Sequence, residues 1–485
     1  MCVTKSRGWA RGSGRRRRVA RALRQPLLAS PAVVALLGAG SFMGASAAQA
    51  ETLEQALISA YMTNPQILAE RANLRATDEQ VPQALAGYRP QIQVTTNTGR
   101  EHVSTGPANL VTQPTTTSNQ TTVDARLTQP LYNGGGTVAA TAAAEDSVIA
   151  ERANNLAVEE TVLFAAITAY YDVMRDMAII DVDRQYVDSL QQLLTGTRGS
   201  FQIGTLTQVD VAQAQGRLES VNAQREVDAG QLEADRGEYE HAVGHLPDAL
   251  TPPTLKAKVP AGLNDAVNLA TTNNPNVVAH KYSERSARDN VAVSQAKLLP
   301  SIALVLDRQV QYGVQNGTPF KGLTTNSTSA TVQLTFPFYD GGLTWSQSRQ
   351  DIEKVGQAQG QTDDARRQAV QNARQAWQLI TAGRAAIKGY TAAIAADVKA
   401  VEGVRQQQLA GERTILDVLT QQQQLFGDQR SLVVAQHDEA LAEFNLAMQV
   451  GNLSAADLRL EVPVYDVTKH YNSVRNKWVG FGSGQ

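Results

Sequence analysis

The chain has 485 residues, with 44 Lys and Arg against 46 Asp and Glu, and a single cysteine. Nine basic and no acidic residues lie in the first 50 positions, so the remainder carries 44 − 9 = 35 basic against 46 acidic groups, a net charge of −11. This acidity argues against nucleic acid as a partner. Because Cys2 is the only thiol, a disulfide framework, a cysteine nucleophile and a thiolate metal site are excluded beyond residue 50.

Residues 1–50 have the pattern of a secretory signal peptide. A basic front, Arg15–Arg18, precedes a short apolar stretch at 31–38, and an A-x-A cleavage signature ends at Ala50. The apolar stretch is too short to cross a bilayer as a helix. We therefore predict cleavage between Ala50 and Glu51.

The rest of the sequence is a tandem duplication. The motif Leu-Thr-x-Pro-x-Tyr-x-Gly-Gly at 127–135 recurs at 334–342, an offset of 207 residues. The same offset relates Arg198 to Arg405, Gly204 to Gly411, Thr207 to Thr414, Asp210 to Asp417 and Gly244 to Gly451. Constant spacing over so long a stretch is typical of matched rods. We predict one structural repeat at 51–246, a proline-rich linker at 247–262 and a second repeat at 263–462.

Long helices are predicted in both repeats. Residues 137–195 contain neither Gly nor Pro, and apolar side chains recur every three or four positions, which indicates an amphipathic helix about 90 Å long. Proline is absent from 131–246 and from 338–462. Each repeat is therefore expected to contain one long helical hairpin, at about 137–245 and about 343–451.

Four strands are predicted ahead of the helical hairpins, as β-hairpins at about 91–131 and 301–338. Apolar and polar residues alternate along them, as in Ile92, Val94 and Thr96 against Gln93, Thr95 and Asn97. A membrane barrel with a wet lumen requires this pattern, whereas a half-buried sheet in a soluble domain fits poorly beside rods of this length. The polar segments around 100–120 and 310–326 are expected at the hairpin tips. Amphipathic aromatic residues expected near the inner membrane interface are Tyr132, Phe338 and Tyr339.

The number of strands predicts an oligomer, because four strands cannot close a barrel. Two chains would give eight strands, whose interior is filled by side chains, whereas three chains give twelve, enough for a water-filled passage. A homotrimer is thus the smallest duct. The polar segment 463–485 is expected to remain in the periplasm, either packed around the middle of the helical part or partly disordered.

With these elements in this order, the chain resembles the TolC family of outer-membrane export ducts. The resemblance is carried by Asn64-Pro65 and Asn274-Pro275, by the two Pro-x-Tyr-x-Gly-Gly turns and by the hairpin bends. It implies an α+β membrane protein: a homotrimeric twelve-stranded β-barrel in the outer-membrane lipid of a Gram-negative bacterium, continued by a twelve-helix coiled-coil tunnel through the periplasm. It also implies a periplasmic adaptor (membrane fusion) protein and an inner-membrane RND or ABC transporter as partners.

The hairpin bends are the candidate functional sites. In each bend a glycine permits a left-handed helix stop, a threonine caps the next helix, and an aspartate three residues later completes a capping box. The resemblance places these bends at the periplasmic entrance, where an adaptor docks. The residues of the two bends are Gly204, Thr205, Leu206 and Thr207, and Gly411, Glu412, Arg413 and Thr414.

The resemblance also implies a gate at these bends. Asp417 is the candidate for an acidic ring around the axis, and Thr420 stands one turn further on, where some members have a second acid. Such a ring favours cations and is blocked by divalent ions. Asp210 and Arg413 are expected to hold neighbouring helices shut.

Two other classes of function fit less well. A periplasmic adaptor also uses long helical hairpins, but it needs one hairpin between lipoyl-like halves and usually an inner-membrane anchor. For an enzyme there is no GxSxG, phosphate loop or HExxH motif. His241 and His245 are four apart on a helical stretch but have no nearby third ligand, so neither a metal nor another cofactor is expected. Drug efflux and protein secretion remain equally open as the duct's task.

Overall fold

The computed structural model describes residues 50–104, 115–315 and 323–482. The predicted signal segment up to residue 49 lies outside this description, and so do the centres of both polar tip segments. Glu51, the predicted first residue after cleavage, is held in place by backbone hydrogen bonds. Its N–H donates to the Ala249 carbonyl oxygen at 2.7 Å, and its own carbonyl oxygen accepts from the Thr251 N–H at 3.1 Å.

The two halves of the chain share two short helices, two strands and two long helices in the same order, and each half has further short helical elements of its own. The first half contains α1 (Leu53–Thr63), α2 (Pro65–Asp78), α3 (Gln80–Leu85), a 3₁₀ turn (Ala86–Tyr88), β1 (Gln91–Ser104), β2 (Thr115–Asn133), α4 (Gly136–Gln202) and α5 (Gln208–Val243). The second half contains α6 (Leu263–Asn273), α7 (Pro275–Ala296), β3 (Ser301–Gln315), β4 (Leu323–Thr335), α8 (Leu343–Leu409), α9 (Ile415–Gln449) and α10 (Lys469–Val474).

The strands form one antiparallel sheet in the order β1-β2-β3-β4. Its register places Ile92 opposite Leu127 and Leu127 opposite Leu306, so one face carries a row of apolar side chains. On the other face Arg126 Nε lies 2.7 Å from Asp307 Oδ1. The alternation in the sequence therefore corresponds to a two-faced sheet, and within the described residues β1 and β4 have no strand on their outer side.

Strand pairing continues into both polar segments that the sequence predicts at the hairpin tips. Arg100 is paired with Asn119, and Val310 is paired with Asn326. Threonine is frequent there, and its β-branched side chain favours an extended backbone, which explains the length of the strands. Within the two tip segments, the described strands include all residues except 105–114 and 316–322, which lie outside the described part of the chain.

The long helices form two hairpins, α4–α5 (the first hairpin) and α8–α9 (the second hairpin). Both α4 and α8 have 67 residues, which corresponds to about 100 Å. No helix in the described part of the chain has an apolar stretch sufficient to cross a membrane.

The main core lies where α1 packs against the middle of the first hairpin. Tyr61, Tyr170 and Tyr239 are fully buried there. The Tyr170 hydroxyl lies 3.0 Å from the Glu51 carbonyl oxygen and 2.6 Å from that of Thr251, so the segment after the predicted cleavage point and the linker are both attached to α4.

The two Asn-Pro motifs make matching contacts. Asn64 caps α2, and its side-chain amide donates to the Ala242 carbonyl oxygen at the end of α5. Asn274 caps α7 and donates in the same way to the Gln449 carbonyl oxygen at the end of α9. Each motif therefore fastens the short helices to the end of its own long hairpin.

The C-terminal segment packs against the first half of the chain. The Tyr465 N–H donates to the hydroxyl of Tyr61 in α1, and His470 Nδ1 lies 3.0 Å from Asp78 Oδ2 at the end of α2. Arg475 Nη2 lies 2.8 Å from Glu145 Oε1 near the start of α4. The segment thus starts at the middle of the helical part, as expected, but continues towards the sheet.

Candidate functional site

The first helix of each long hairpin ends in the same left-handed turn. Gly204 has φ +81° and Gly411 has φ +79°, values that only glycine adopts without strain. The Gly204 N–H donates to the Phe201 carbonyl oxygen, and the Thr205 N–H donates to that of Ser200, both at 2.9 Å. The second bend repeats this pair of bonds from Gly411 and Glu412. Both helices therefore end in a Schellman motif.

The second helix of each hairpin begins with a reciprocal capping box. At α9 the Thr414 N–H and hydroxyl donate to Asp417 Oδ2 at 2.9 and 2.8 Å, and the Asp417 N–H donates back to Thr414 Oγ1 at 3.2 Å. Thr207 and Asp210 form the same arrangement at α5. Both aspartates thus satisfy backbone groups that a helix start leaves unpaired.

The cap also fixes the charge of the candidate gate residue. Hydrogen bonds from Thr414 lower the pKa of Asp417, and the positive charge of Arg413 acts in the same direction. Asp417 is therefore ionised at neutral pH although it is half-buried. The Thr420 hydroxyl donates to the Leu416 carbonyl oxygen at 2.8 Å, so its oxygen is still able to accept a bond.

The two expected closing residues do not meet within one chain. The carboxylate of Asp210 is engaged by Thr207, and Arg413 forms no ion pair within the described residues. Of the eight residues expected to dock an adaptor, Leu206 is half-buried against the hydrophobic cluster beneath the bends. The other seven are exposed.

The bends also carry an apolar surface that sequence reasoning did not identify. We call it the tip patch, and its exposed members are Phe201, Ile203, Val209, Leu409 and Leu416. Each of these residues lies within a few positions of a glycine stop or a threonine cap. The available signal in the sequence was the position of these apolar residues next to a helix stop or cap. An apolar residue at an open turn has no neighbour from its own hairpin and is therefore exposed.

The start of α9 packs onto the first hairpin immediately above the bends. Ile415 and Leu419 are buried in a cluster with Tyr186 and Leu190 of α4 and Leu218 of α5. The bends of the two hairpins are therefore held side by side within one chain.

A charged cluster, also missed from the sequence, joins the hairpins further along. Arg430 of α9 lies with Nη1 2.7 Å from both Asp183 Oδ1 in α4 and Asp228 Oδ2 in α5. Burial raises the pKa of Asp183, and the hydrogen bond from Arg430 opposes this shift. We call these three residues the Arg430 bridge. Helical periodicity in the sequence predicted long amphipathic helices, but not that a charged side chain would occupy a position facing the other hairpin.

Two further polar contacts flank the Arg430 bridge. Closer to the bends, Gln422 Nε2 donates to Ser189 Oγ at 2.8 Å. On the other side, His437 Nε2 lies 2.8 Å from Asp172 Oδ1. Three successive levels of α9 are therefore attached to α4 by polar side chains.

Comparisons with known proteins agree with this architecture. The chain is 33% identical over 92% of its length to the outer membrane efflux protein BepC of Brucella suis, 95% of which is covered. It is 23% identical to the outer membrane protein TolC of Escherichia coli, with 85% of each chain covered. The crystal structure of the outer membrane protein VceC from Vibrio cholerae superposes with a TM-score of 0.71, at 18% identity, over 82% of this chain and 96% of that one.

The family model described as outer membrane efflux protein matches residues 46–244 and 266–452. Together these ranges cover most of the chain and both long hairpins. The comparisons do not support the periplasmic adaptor alternative. The chain belongs to the outer membrane efflux protein family and is an outer-membrane exit duct of the TolC type with a large periplasmic helical part.

Proposed function

We propose that three copies of this chain close into a twelve-stranded barrel. The support comes from the sheet, because β1 and β4 each have an outer edge without a partner strand in the described chain. Unpaired edges of this length are unstable in isolation, and β1 of one copy next to β4 of another would satisfy them. The exposed apolar side chains of Ile92, Val94, Val332 and Leu334 would then face lipid.

The same assembly places the bends at the entrance of a helical tunnel. Each copy contributes four long helices, and their bends lie at the end of the molecule opposite to the sheet. Asp417 of each copy would then contribute one negative charge to a ring around the axis. Like charges at such a constriction repel one another and attract cations, which gives selectivity for cations and block by divalent ions.

Opening requires the second hairpin to move relative to the first. Asp417 and Thr420 travel with α9, and the contacts that resist the movement are the packing of Ile415 and Leu419 and the Arg430 bridge. Asp210 and Arg413 are unpaired with each other within one chain, so their closing role would operate between copies. We infer that the Arg430 bridge holds the two hairpins together above the gate and resists opening.

The surface of the bends supports a periplasmic adaptor as the docking partner. The tip patch exposes apolar side chains next to two exposed charged residues, Glu412 and Arg413. A periplasmic adaptor with a helical hairpin is the partner that fits this surface, and an inner-membrane RND or ABC transporter would supply the cargo and the energy. The duct itself would act passively, without catalysis or cofactor. The cargo is either small molecules or secreted proteins.

The observation that carries the gate is the carboxylate of Asp417, which Thr414 holds in place at the exposed bend. The test is conductance in planar bilayers, with and without millimolar divalent cation. Asp417→Asn retains an oxygen that can accept the bonds from Thr414 but removes the charge. Its matched control is Asp210→Asn, which makes the same change in the equivalent capping box of α5.

We expect the wild type to show small, cation-selective conductance that divalent ions block. Asp417→Asn should weaken the block by about tenfold or more, because three charges leave the ring at once. Asp210→Asn should leave most of the block in place, because its proposed closing role affects how often the duct opens and not the charge of the ring. Equal loss of block in both variants would assign the effect to the caps, and unchanged block in Asp417→Asn would remove it from the ring.

A further inference from the structure

The last described residues of the chain form an exposed apolar segment that the duct function does not use. We call Lys477–Gly482 the terminal segment. Trp478, Val479 and Phe481 in this segment are strongly exposed, and Phe481 is fully so. Three large apolar side chains within four residues are unusual on a surface in contact with water only.

The terminal segment is held next to the start of β1. Arg89, two residues before the first strand residue, donates from Nη1 to the Lys477 carbonyl oxygen at 2.8 Å. The guanidinium of Arg89 also lies 5.1 Å from the ring centroid of Trp478. These two contacts hold the segment near the start of the sheet, since Arg89 lies two residues before Gln91 of β1.

The neighbouring ends of the strands carry exposed aromatic and aliphatic side chains at the same level. Gln129 of β2 donates to the Tyr88 carbonyl oxygen, which places the 3₁₀ turn beside the end of β2. Asn133 of β2 pairs with Ser301 of β3, and Ser301 also pairs with Thr335 of β4. The ends of these three strands therefore form one rim. The exposed apolar residues around this rim are Tyr88, Leu131, Tyr132, Phe336, Phe338 and Tyr339.

We propose that the terminal segment binds the phospholipid surface of the periplasmic leaflet and inserts Trp478, Val479 and Phe481 into the interface. This rests on the proposed barrel, which puts the rim at that level of the membrane. Tryptophan and phenylalanine suit the boundary between headgroups and acyl chains. Lys477 adds a positive charge that attracts anionic headgroups. A three-copy assembly would carry three such segments around the barrel.

The anchoring of the segment on the protein side supports a lipid occupant. His470, Tyr471 and Arg475 attach the preceding residues to α2 and α4 through Asp78 and Glu145. The chain is therefore held in place up to Arg475, whereas the apolar side chains of Trp478, Val479 and Phe481 beyond it are exposed. Their continuity with the exposed rim makes the membrane that surrounds the barrel the occupant of this surface.

The test uses tryptophan fluorescence of the full trimer, processed after residue 50, in phospholipid vesicles with brominated acyl chains. Trp345→Phe together with Trp377→Phe leaves Trp478 as the reporter. We expect bromine near the headgroups to quench Trp478 more than bromine near the chain ends. Val479→Ser with Phe481→Ser in the same background should reduce this quenching and shift the emission to longer wavelength.

A reference variant separates the two proposals. Leu334→Trp in a chain with all three tryptophans replaced by phenylalanine reports on the sheet itself, and deep bromine should quench it. Quenched Leu334→Trp with unquenched Trp478 would overturn the terminal-segment proposal and leave the barrel intact. If acrylamide in the water also fails to quench Trp478, a second copy of the chain covers the segment. Unquenched Leu334→Trp would overturn the barrel and the membrane contact together.

Discussion

The two longest helices of the molecule have the same length but very different surroundings. In the single chain α4 buries 25 of its 67 residues, whereas α8 buries 7 of 67, and none of these seven lies beyond Ile380. α4 is covered by α1, α2, α5, α7 and α9, whereas α8 contacts chiefly α6, α7 and α9. The two helices therefore occupy an interior and a peripheral position within the single chain.

This difference indicates where the proposed trimer would make its contacts. A helix of about 100 Å is stabilised by tertiary packing of one face. Beyond Ile380 α8 contacts α9, but it has no fully buried residue there. The neighbouring copy in a trimer would complete this packing. The comparison also predicts that buried charges on α4 and exposed charges on α8 contribute differently to stability.

The largest expected effect comes from removing the Arg430 bridge. Arg430→Ala leaves the carboxylate of Asp183, whose side chain is 5% exposed, without its cation. Loss of one partner from a buried pair costs about 3 kcal/mol per copy. Because the bridge joins the hairpins, we expect a lower unfolding temperature together with larger and more frequent conductance openings in planar bilayers.

Arg384→Ala is the matched control for the Arg430 bridge. Arg384 of α8 also contacts two carboxylates, Glu439 and Glu443, but both belong to the second hairpin and the arginine side chain is 61% exposed. An exposed pair of this kind contributes less than about 1 kcal/mol. Unchanged gating in Arg430→Ala, or equal effects of the two substitutions, would contradict the inference that the Arg430 bridge resists opening.

A second effect, smaller over one pH unit, concerns pH and Glu160 in the middle of α4. Burial raises the pKa of Glu160 to about 8, although its Oε1 accepts a bond from the Leu453 N–H. The equivalent position in α8, 207 residues later, is the exposed Arg367. The folded state therefore binds a proton at Glu160 that the unfolded chain has released, over the range between the ordinary value of 4.5 and about 8.

The stability of the folded chain is consequently expected to fall as pH rises through this range. The slope contributed by Glu160 reaches about 1.4 kcal/mol per copy and pH unit, because folding takes up one proton. Glu160→Gln retains an oxygen that can accept from Leu453 and should flatten the slope in denaturant unfolding measured at several pH values. Glu402→Gln, at an exposed position of α8, should leave the slope unchanged. An unaltered slope in Glu160→Gln would place the pH dependence elsewhere.

The sequence allowed the regular parts of this molecule to be predicted, for physical reasons that particular residues show. Gly204 and Gly411 predict helix stops, and Thr414 with Asp417 predicts a helix cap. These residues could be recognised because they affect the conformation and hydrogen bonds of the backbone next to them in the sequence. The Arg430 bridge could not be read in this way, since Asp183 and Asp228 lie 247 and 202 positions away. The course of the C-terminal segment was missed for the same reason, because its contacts with Asp78, Glu145 and Arg89 are distant in sequence.

The smallest expected effect concerns the caps, where the two hairpins are alike. Thr207→Ala and Thr414→Ala each remove one hydroxyl from a capping box with nearly identical distances, so each should lower the free energy of unfolding by about 1 kcal/mol per copy. Denaturant unfolding of the two variants measures this directly. A clearly larger loss for Thr414→Ala would show that the α9 cap supports contacts between copies as well as its own helix. Equal losses would mean that the asymmetry between the hairpins begins above the bends, where Asp183 and Glu160 are buried in α4.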